Sequence, residues 1–172
     1  MMKFFIKLFF YLSIIVGILA AVYLYDLYEE IKNDIDSVVN YQPKQSTQFF
    51  DRNGKLLANT FKDENREYVK YDDIPARVIE SLVAIEDTQF FEHFGINPDA
   101  ISRALIKNIK SGGYSEGAST LTQQLIKVLV LSREKKIIRK VKEALLAIRL
   151  ETILTKEEIL ERYLNHVYFG HG

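Results

Sequence analysis

The sequence contains no cysteine. That excludes disulfides, thiolate catalysis and cysteine-ligated zinc or iron-sulfur centres, whatever the compartment. It also lacks net charge, because 23 Lys and Arg balance 23 Asp and Glu. The balance gives no reason to expect a nucleic-acid partner or a polyanionic substrate, so any electrostatic function must be local. There is no internal repeat, no low-complexity tract and no proline-rich linker. No G-x-S-x-G, P-loop or dinucleotide fingerprint occurs, and Ser132-Arg133-Glu134-Lys135 matches S-x-x-K without its K-T-G or S-x-N companions. His93 is isolated, and His166 with His171 has no carboxylate at ligand spacing, so no zinc site is expected. A chain of 172 residues has room for one modest core besides an anchor.

Long uncharged runs, by contrast, are present. Leu8 to Tyr25 carries no charged side chain and is long enough to span a bilayer, with Phe4, Phe5 and Ile6 extending it if Lys7 snorkels. The run exceeds a usual signal-peptide core and no A-x-A cleavage site follows, which favours a retained signal-anchor over a cleaved leader. Lys3 and Lys7 precede it, and Asp26, Glu29 and Glu30 follow. The positive-inside rule then makes residues 1–7 cytoplasmic, 8–25 the span, and the remainder extracytoplasmic. In residues 26–46, Leu27, Ile31, Ile35 and Val38 recur at helical spacing and predict a helical stalk acting as a spacer.

Beyond the stalk, Asn53-Gly54 between two short apolar runs predicts a β-hairpin, and Tyr68-Val69 a further extended piece. From Asp73 the pattern is helical, with Pro75 in the first turn and Glu86 at the end. Asn97-Pro98 reads as the N-cap and first residue of a helix with Ile101, Ala104, Leu105 and Ile109 inward, stopped by Gly112-Gly113. Gly112 to Gly117 reads as a mobile loop. A helix over Thr120–Leu131 follows, then one over Lys135–Leu154 with Ile137, Val141, Ala144, Leu145 and Ile148 as its apolar stripe, and a last one capped by Thr155 and Glu158. The fold class is mainly α with a small hairpin.

Three groups can carry chemistry. Glu86 at a helix C-terminus meets the negative end of the macrodipole, and Phe90, Phe91 and Phe94 stand near enough in sequence to desolvate it. Both effects would raise its pKa and suit a general base; a solvated acidic helix end is the simpler account of these residues alone. Gly117 to Gln124 combines a glycine-bearing approach with hydroxyls and amides at a helix start, where free backbone amides bind phosphate. Thr120 with Gln123 is equally an ordinary capping box. Lys127 lies one turn beyond Gln124, and Arg133 to Lys142 holds a dense cation run, with Glu143 in reach of Arg139 and Lys140 on one helix face. That arrangement is either a surface ion-pair cluster or a grip on a diphosphate.

Taken together, these residues resemble glycosyltransferase family 51, the glycan-polymerising module of class A penicillin-binding proteins and of monofunctional peptidoglycan glycosyltransferases. The likeness covers about Phe49 to Gly172. It rests on four ordered motifs: Glu86-Asp87…Phe90…His93…Gly95, Gly117 to Gln124, Arg139-Lys140…Glu143, and Lys156…Ile159-Leu160…Tyr163-Leu164-Asn165. The resemblance implies a lysozyme-like α-helical domain over 47–172, incomplete at its C-terminus because the chain stops before the family's fifth motif. It implies that Glu86 deprotonates the 4-hydroxyl of lipid II, which attacks the anomeric carbon of an undecaprenyl-diphosphate-linked glycan with inversion.

By the same likeness Lys127, Lys135, Arg139 and Lys140 hold the leaving diphosphate. Glu143 is a second catalytic carboxylate that orients them or a divalent cation such as Mg or Mn. Asp87, His93, Ser119, Thr120, Gln123 and Gln124 line the substrate cleft, and the fourth motif is mainly structural. The loop around Lys110 to Glu116 resembles a lid. Implied partners are lipid II, the lipid-linked glycan, the bacterial inner membrane and other cell-wall synthesis proteins, with no nucleic acid. Lys135 stands where the family usually has Arg, and Val128 where it commonly has Asn. Two rival readings share parts of this pattern: a lysozyme-like enzyme that cleaves peptidoglycan, and a non-catalytic membrane-tethered fragment.

Overall fold

A computed structural model of the chain describes residues 2–43, 45–61, 66–113, 117–131 and 136–167, without the side chains of Met2 and Lys136. The chain begins with α1 (Met2–Ile31), a single unbroken helix. Its apolar stretch is exposed throughout and is long and apolar enough to cross a membrane. Thirty residues at 1.5 Å rise make it roughly 45 Å long, more than the hydrocarbon thickness of a bilayer requires. The excess has its own role.

Leu27 and Ile31 at the end of α1, and Ile35 and Val38 in the short helix α2 (Asp34–Val39), are all buried. Ile31, Ile35 and Val38 belong to the same core cluster as Leu125, Leu146 and Leu160. The helical spacing foreseen for this segment is there, but the spacer role is not. A stripe of apolar residues beside a packed domain lowers its free energy by joining the core, at about 1.5–3 kcal/mol per fully buried aliphatic side chain. An ion pair reinforces the junction, with Lys142 Nζ 3.0 Å from Glu30 Oε1 and the lysine side chain only 5% exposed.

The hairpin forms as its turn residues predict. β1 (Thr47–Phe50) pairs antiparallel with β2 (Leu56–Thr60), with an irregularity between Phe49 and Phe50, and Gly54 takes the turn at φ 80°. The Asp51 carboxylate accepts from the amides of Asn53 and Lys55 and closes the turn. Every residue of both strands is exposed. Tyr68-Val69 is not a strand. Instead the Asn165 side chain stands in for a strand partner, its Oδ1 accepting from the Val69 amide at 2.9 Å and its Nδ2 donating to the Val69 carbonyl at 2.7 Å.

The remaining helices build the body. After a 3-10 turn at Tyr71–Asp73 come α3 (Ala76–Glu86), α4 (Pro98–Ser111), α5 (Leu121–Leu129), α6 (Lys136–Leu150) and α7 (Lys156–His166). Helix α3 ends on Glu86, as its pattern predicts. Helix α4 is capped by the Asn97 side chain and closed by Gly112 in the left-handed conformation. Thr120 and Thr155 each form complete capping boxes, with Gln123 and Glu158. Leu121, Leu125 and Ile126 put α5 at the centre, packed against α6 and α7.

Two inward faces foreseen from periodicity are turned the other way. On α4 only Ala100 and Ala104 are buried, while Ile101, Leu105 and Ile109 are exposed. On α6 the expected stripe is open or half-open, with Ile137 83% exposed. The buried face holds Lys142, Glu143, Leu146, Ala147 and Leu150. Helical period marks an apolar face without saying what covers it, and the described part of the chain covers each only in part, through Ala104 on α4 and Leu145 on α6.

Gly95 shows why the turn after α3 needs glycine. Its φ is 78°, and a Cβ there would lie 2.6 Å from the carbonyl carbon and oxygen of Ala147 and the amide of Ile148. Backbone meets backbone, so neither side can yield cheaply. Gly95→Ala is expected to cost about 3 kcal/mol or more, from strain and overpacking together. A urea or thermal melt in detergent reads this directly, and an unchanged midpoint would mean that α6 moves aside.

Candidate active site

The site is assembled around the turn that follows α3. Asp87, the C-cap of that helix, is buried, and its Oδ2 accepts from the Leu121 amide at 3.0 Å. The same oxygen lies 2.9 Å from His93 Nε2, and a carboxylate only accepts, so Nε2 carries the ring proton. Both side chains are about 95% buried. Of the two residues expected to line the substrate cleft, Asp87 borders a cavity beside Glu86 while its carboxylate bonds inward, and the His93 ring is turned into the fold.

Helix α5 therefore already has an anion at its N-terminus. Leu121 donates to Asp87, Gln123 to the Thr120 hydroxyl and Gln124 to the Thr120 carbonyl. A free set of amides that would take a phosphate, foreseen from the sequence, is not available there, because an internal carboxylate satisfies the same dipole. The Thr120 hydroxyl donates to the Gly95 carbonyl at 2.7 Å and is buried. Thr120 and Gln123 are thus caps and joints, and Thr120 does this from the wall of the same cavity.

Glu86, one residue before Asp87, faces outward and is exposed. The aromatic wall expected to desolvate it is absent among the described residues. Phe90 is fully buried beneath the Lys156 ammonium, which stands 4.4 Å from its ring centroid, and Phe91 and Phe94 are exposed. What holds Glu86 is an amide: Gln124 Nε2 donates to Glu86 Oε2 at 2.9 Å. Gln124 Oε1 in turn accepts from the Tyr163 hydroxyl at 3.1 Å.

The cation group sits on α6. Glu143 is nearly buried, with Lys140 Nζ 2.9 Å from one oxygen and Arg139 Nε 3.2 Å from the other. The Arg139 N–H is not aimed for a hydrogen bond, so that contact is a charge pairing. Lys140 also donates to Ser119 Oγ at 2.7 Å, which ties the cation helix to the turn before α5. Lys127 is exposed in the last turn of α5, one turn beyond Gln124. Lys135 lies outside the described residues, as do Tyr114 to Glu116 of the expected lid.

The cavity, of about 200 Å³, lies beside Glu86 and Asp87 and reaches Ser119, the hydrogen-bond partner of Lys140. Glu86 and Thr88 line one side, Asn97, Ala100 and Arg103 a second, and Gly117 to Thr120 the third. Arg103 is a cleft residue that the sequence did not single out, since on a helix it read as one more surface cation. Behind the cavity, Lys156 donates to the His93 carbonyl and to Glu151, whose other oxygen accepts from Thr122. The fourth motif is thereby clamped to the first. The described donors do not fit a resident divalent cation: Glu143 spends both oxygens on cations, and no group of three potential ligands converges among the described residues.

With this geometry in view, the family model for a transglycosylase matches residues 53–172. The chain belongs to the transglycosylase family. It is 41% identical to penicillin-binding protein 1A of Vibrio cholerae over 97% of its length, and 43% identical to that of Aquifex aeolicus over 94%. It is 39% identical to penicillin-binding protein 1A of Escherichia coli over 97%. The chain spans about a fifth of the length of these relatives, at 20%, 22% and 20% of each.

Removing the Asp87 carboxylate tests the joint on which the transglycosylase site hangs. Asp87→Ala leaves the Leu121 amide and the His93 ring without their shared acceptor. A loss of about 2–4 kcal/mol of stability is expected by denaturant unfolding. A variant as stable as the parent would show that solvent replaces the carboxylate.

Proposed function

We propose that the chain carries a peptidoglycan glycosyltransferase site that polymerises lipid II during bacterial cell-wall synthesis. The observation that supports this most directly is the cavity with Glu86 on one wall and, on another, Ser119, the residue that holds Lys140. A carboxylate on the wall of a sugar-sized space, with a cation group one hydrogen bond behind another wall, suits transfer between a hydroxyl and a diphosphate leaving group.

In this reading the acceptor 4-hydroxyl lies against Glu86. Its oxygen bonds to the anomeric carbon of the donor as the bond to the diphosphate oxygen breaks, the electron pair leaving with the diphosphate. The hydroxyl proton passes to the Glu86 carboxylate, and attack from the far face inverts the anomeric centre. Negative charge grows on the leaving diphosphate, where Lys140, Arg139, Lys127 and Lys135 neutralise it. Preorganised charge of this kind is commonly the largest single catalytic term. Glu143 pairs with both Arg139 and Lys140, so its contribution is to aim the cations.

The apolar part of α1 serves as a single-pass anchor in the inner membrane, N-terminus in the cytoplasm and site outside, in line with Lys3 and Lys7 before the span and the acidic residues after it. A tethered enzyme beside a lipid-linked substrate needs its cations near headgroup level. The packing of α1 and α2 against α6 keeps the cation helix close to the membrane end of the molecule.

Two variants separate base from cation work in the protein expressed from its complete reading frame and assayed on lipid II. Glu86→Gln is expected to abolish polymerisation, at least a thousandfold in kcat, with an unchanged melting curve; turnover near wild type would remove Glu86 from the base role. Cleavage of finished peptidoglycan without any elongation of lipid II would sink the transferase reading itself. Lys140→Ala is expected to weaken donor use at least tenfold, against no effect for Lys55→Ala on the hairpin. Equal small effects would return Lys140 to an ordinary solvated lysine.

A further inference from the structure

The fourth motif reads from sequence as structural, and most of it is. Lys156 and Asn165 are fully engaged in holding the turn after α3 and the segment at Val69. Tyr163 is different. Its ring is buried in the core while its hydroxyl reaches out toward the site and donates to Gln124 Oε1. Gln124 then presents its Nε2 to Glu86.

We propose that Tyr163 is a positioning residue for the Glu86 carboxylate, acting through the Gln124 amide. The proposal rests on Glu86 being the base. A primary amide has two ends of opposite polarity and turns over readily at an exposed position. The end facing Glu86 decides whether it steadies the carboxylate or repels it. The carboxylate accepts only, so the useful orientation is the one with N–H toward Glu86. The Tyr163 hydroxyl selects it by giving the amide oxygen a donor on the opposite side. With the ring locked in the core, this donor cannot follow the amide if it turns.

Burial is the main cause that raises the Tyr163 phenol above its ordinary range, and the negative charge of Glu86 adds to it. The hydroxyl therefore keeps its proton throughout the physiological range and remains a donor. Chains of hydrogen bonds also polarise one another, so the Tyr163 contact strengthens the one Gln124 makes to Glu86. The arrangement compensates for the missing aromatic wall: an exposed carboxylate is held by a directed contact instead of by a desolvated pocket.

Tyr163→Phe removes one oxygen and leaves the packed ring. Gln124 is half-buried and keeps its contact with Glu86, so the fold should stand. With the protein expressed from its complete reading frame, kcat for lipid II polymerisation is expected to fall about tenfold, with KM within about twofold and the melting temperature unchanged. In a Gln124→Ala background the same substitution should cost nothing further, because the path from Tyr163 to Glu86 is already cut. The proposal is overturned if Tyr163→Phe keeps kcat within twofold of wild type, or loses the same factor with and without Gln124. Glu86→Gln in the same assay keeps the two ideas apart. If it is inactive while Tyr163→Phe is normal, only the positioning role fails; if it is active, the base assignment fails first.

Discussion

One carboxylate joins what the rest of the site requires to be joined. Asp87 Oδ2 takes the Leu121 amide from the start of α5 and the His93 ring from the following turn, with both side chains almost entirely buried. A buried acceptor is worth far more than a surface one, because losing it strands its donors. Asp87 is bonded to Glu86, and Leu121 follows Thr120. The clamp therefore sets where Glu86 stands relative to Ser119 and, through it, to Lys140. The close backbone approach of Gly95 to Ala147 brings α6 into the same joint.

Helix α6 inverts the usual partition of a surface helix. It buries Lys142 and Glu143 and leaves Ile137 and Ile148 open. Burying charge is costly unless it is paired, and here each buried group has a partner: Lys142 meets Glu30, and Glu143 meets Arg139 and Lys140. One helix thus meets the end of α1 through Lys142 and carries the Arg139, Lys140 and Glu143 group itself. The exposed apolar faces of α4 and α6 are unused by the described core and flank the same side chains.

Much of the local architecture was readable in the residues. The hairpin follows from Asn53-Gly54, the caps of α4, α5 and α7 from Asn97, Thr120 and Thr155, and the end of α3 at Glu86 from its pattern. All of these depend on neighbours a few residues apart, where steric and hydrogen-bonding rules act without tertiary context. The candidate site was readable only in part. Glu86, Gln124, Arg139, Lys140 and Glu143 were singled out, and the structure pairs Gln124 with Glu86, and Glu143 with both Arg139 and Lys140. Asp87, His93, Thr120 and Gln123 were singled out too, and all four make internal joints, Asp87 and Thr120 from the wall of the cavity. A polar residue type reveals that a hydrogen bond will be made, and not whether its partner is a substrate or the backbone of another helix.

By itself the sequence determined the helical class, the span-length apolar run, the capped helix starts and membership of the transglycosylase family. Each rests on local chemistry or on ordered motifs. Only the tertiary structure decided which faces are covered, that the segment after the span is part of the core, and that Tyr163 reaches Glu86 through Gln124. Those facts concern pairs separated by tens of residues, such as Glu30 with Lys142 or Asp87 with Leu121. No periodicity encodes such a pair, since it exists only once the helices have packed.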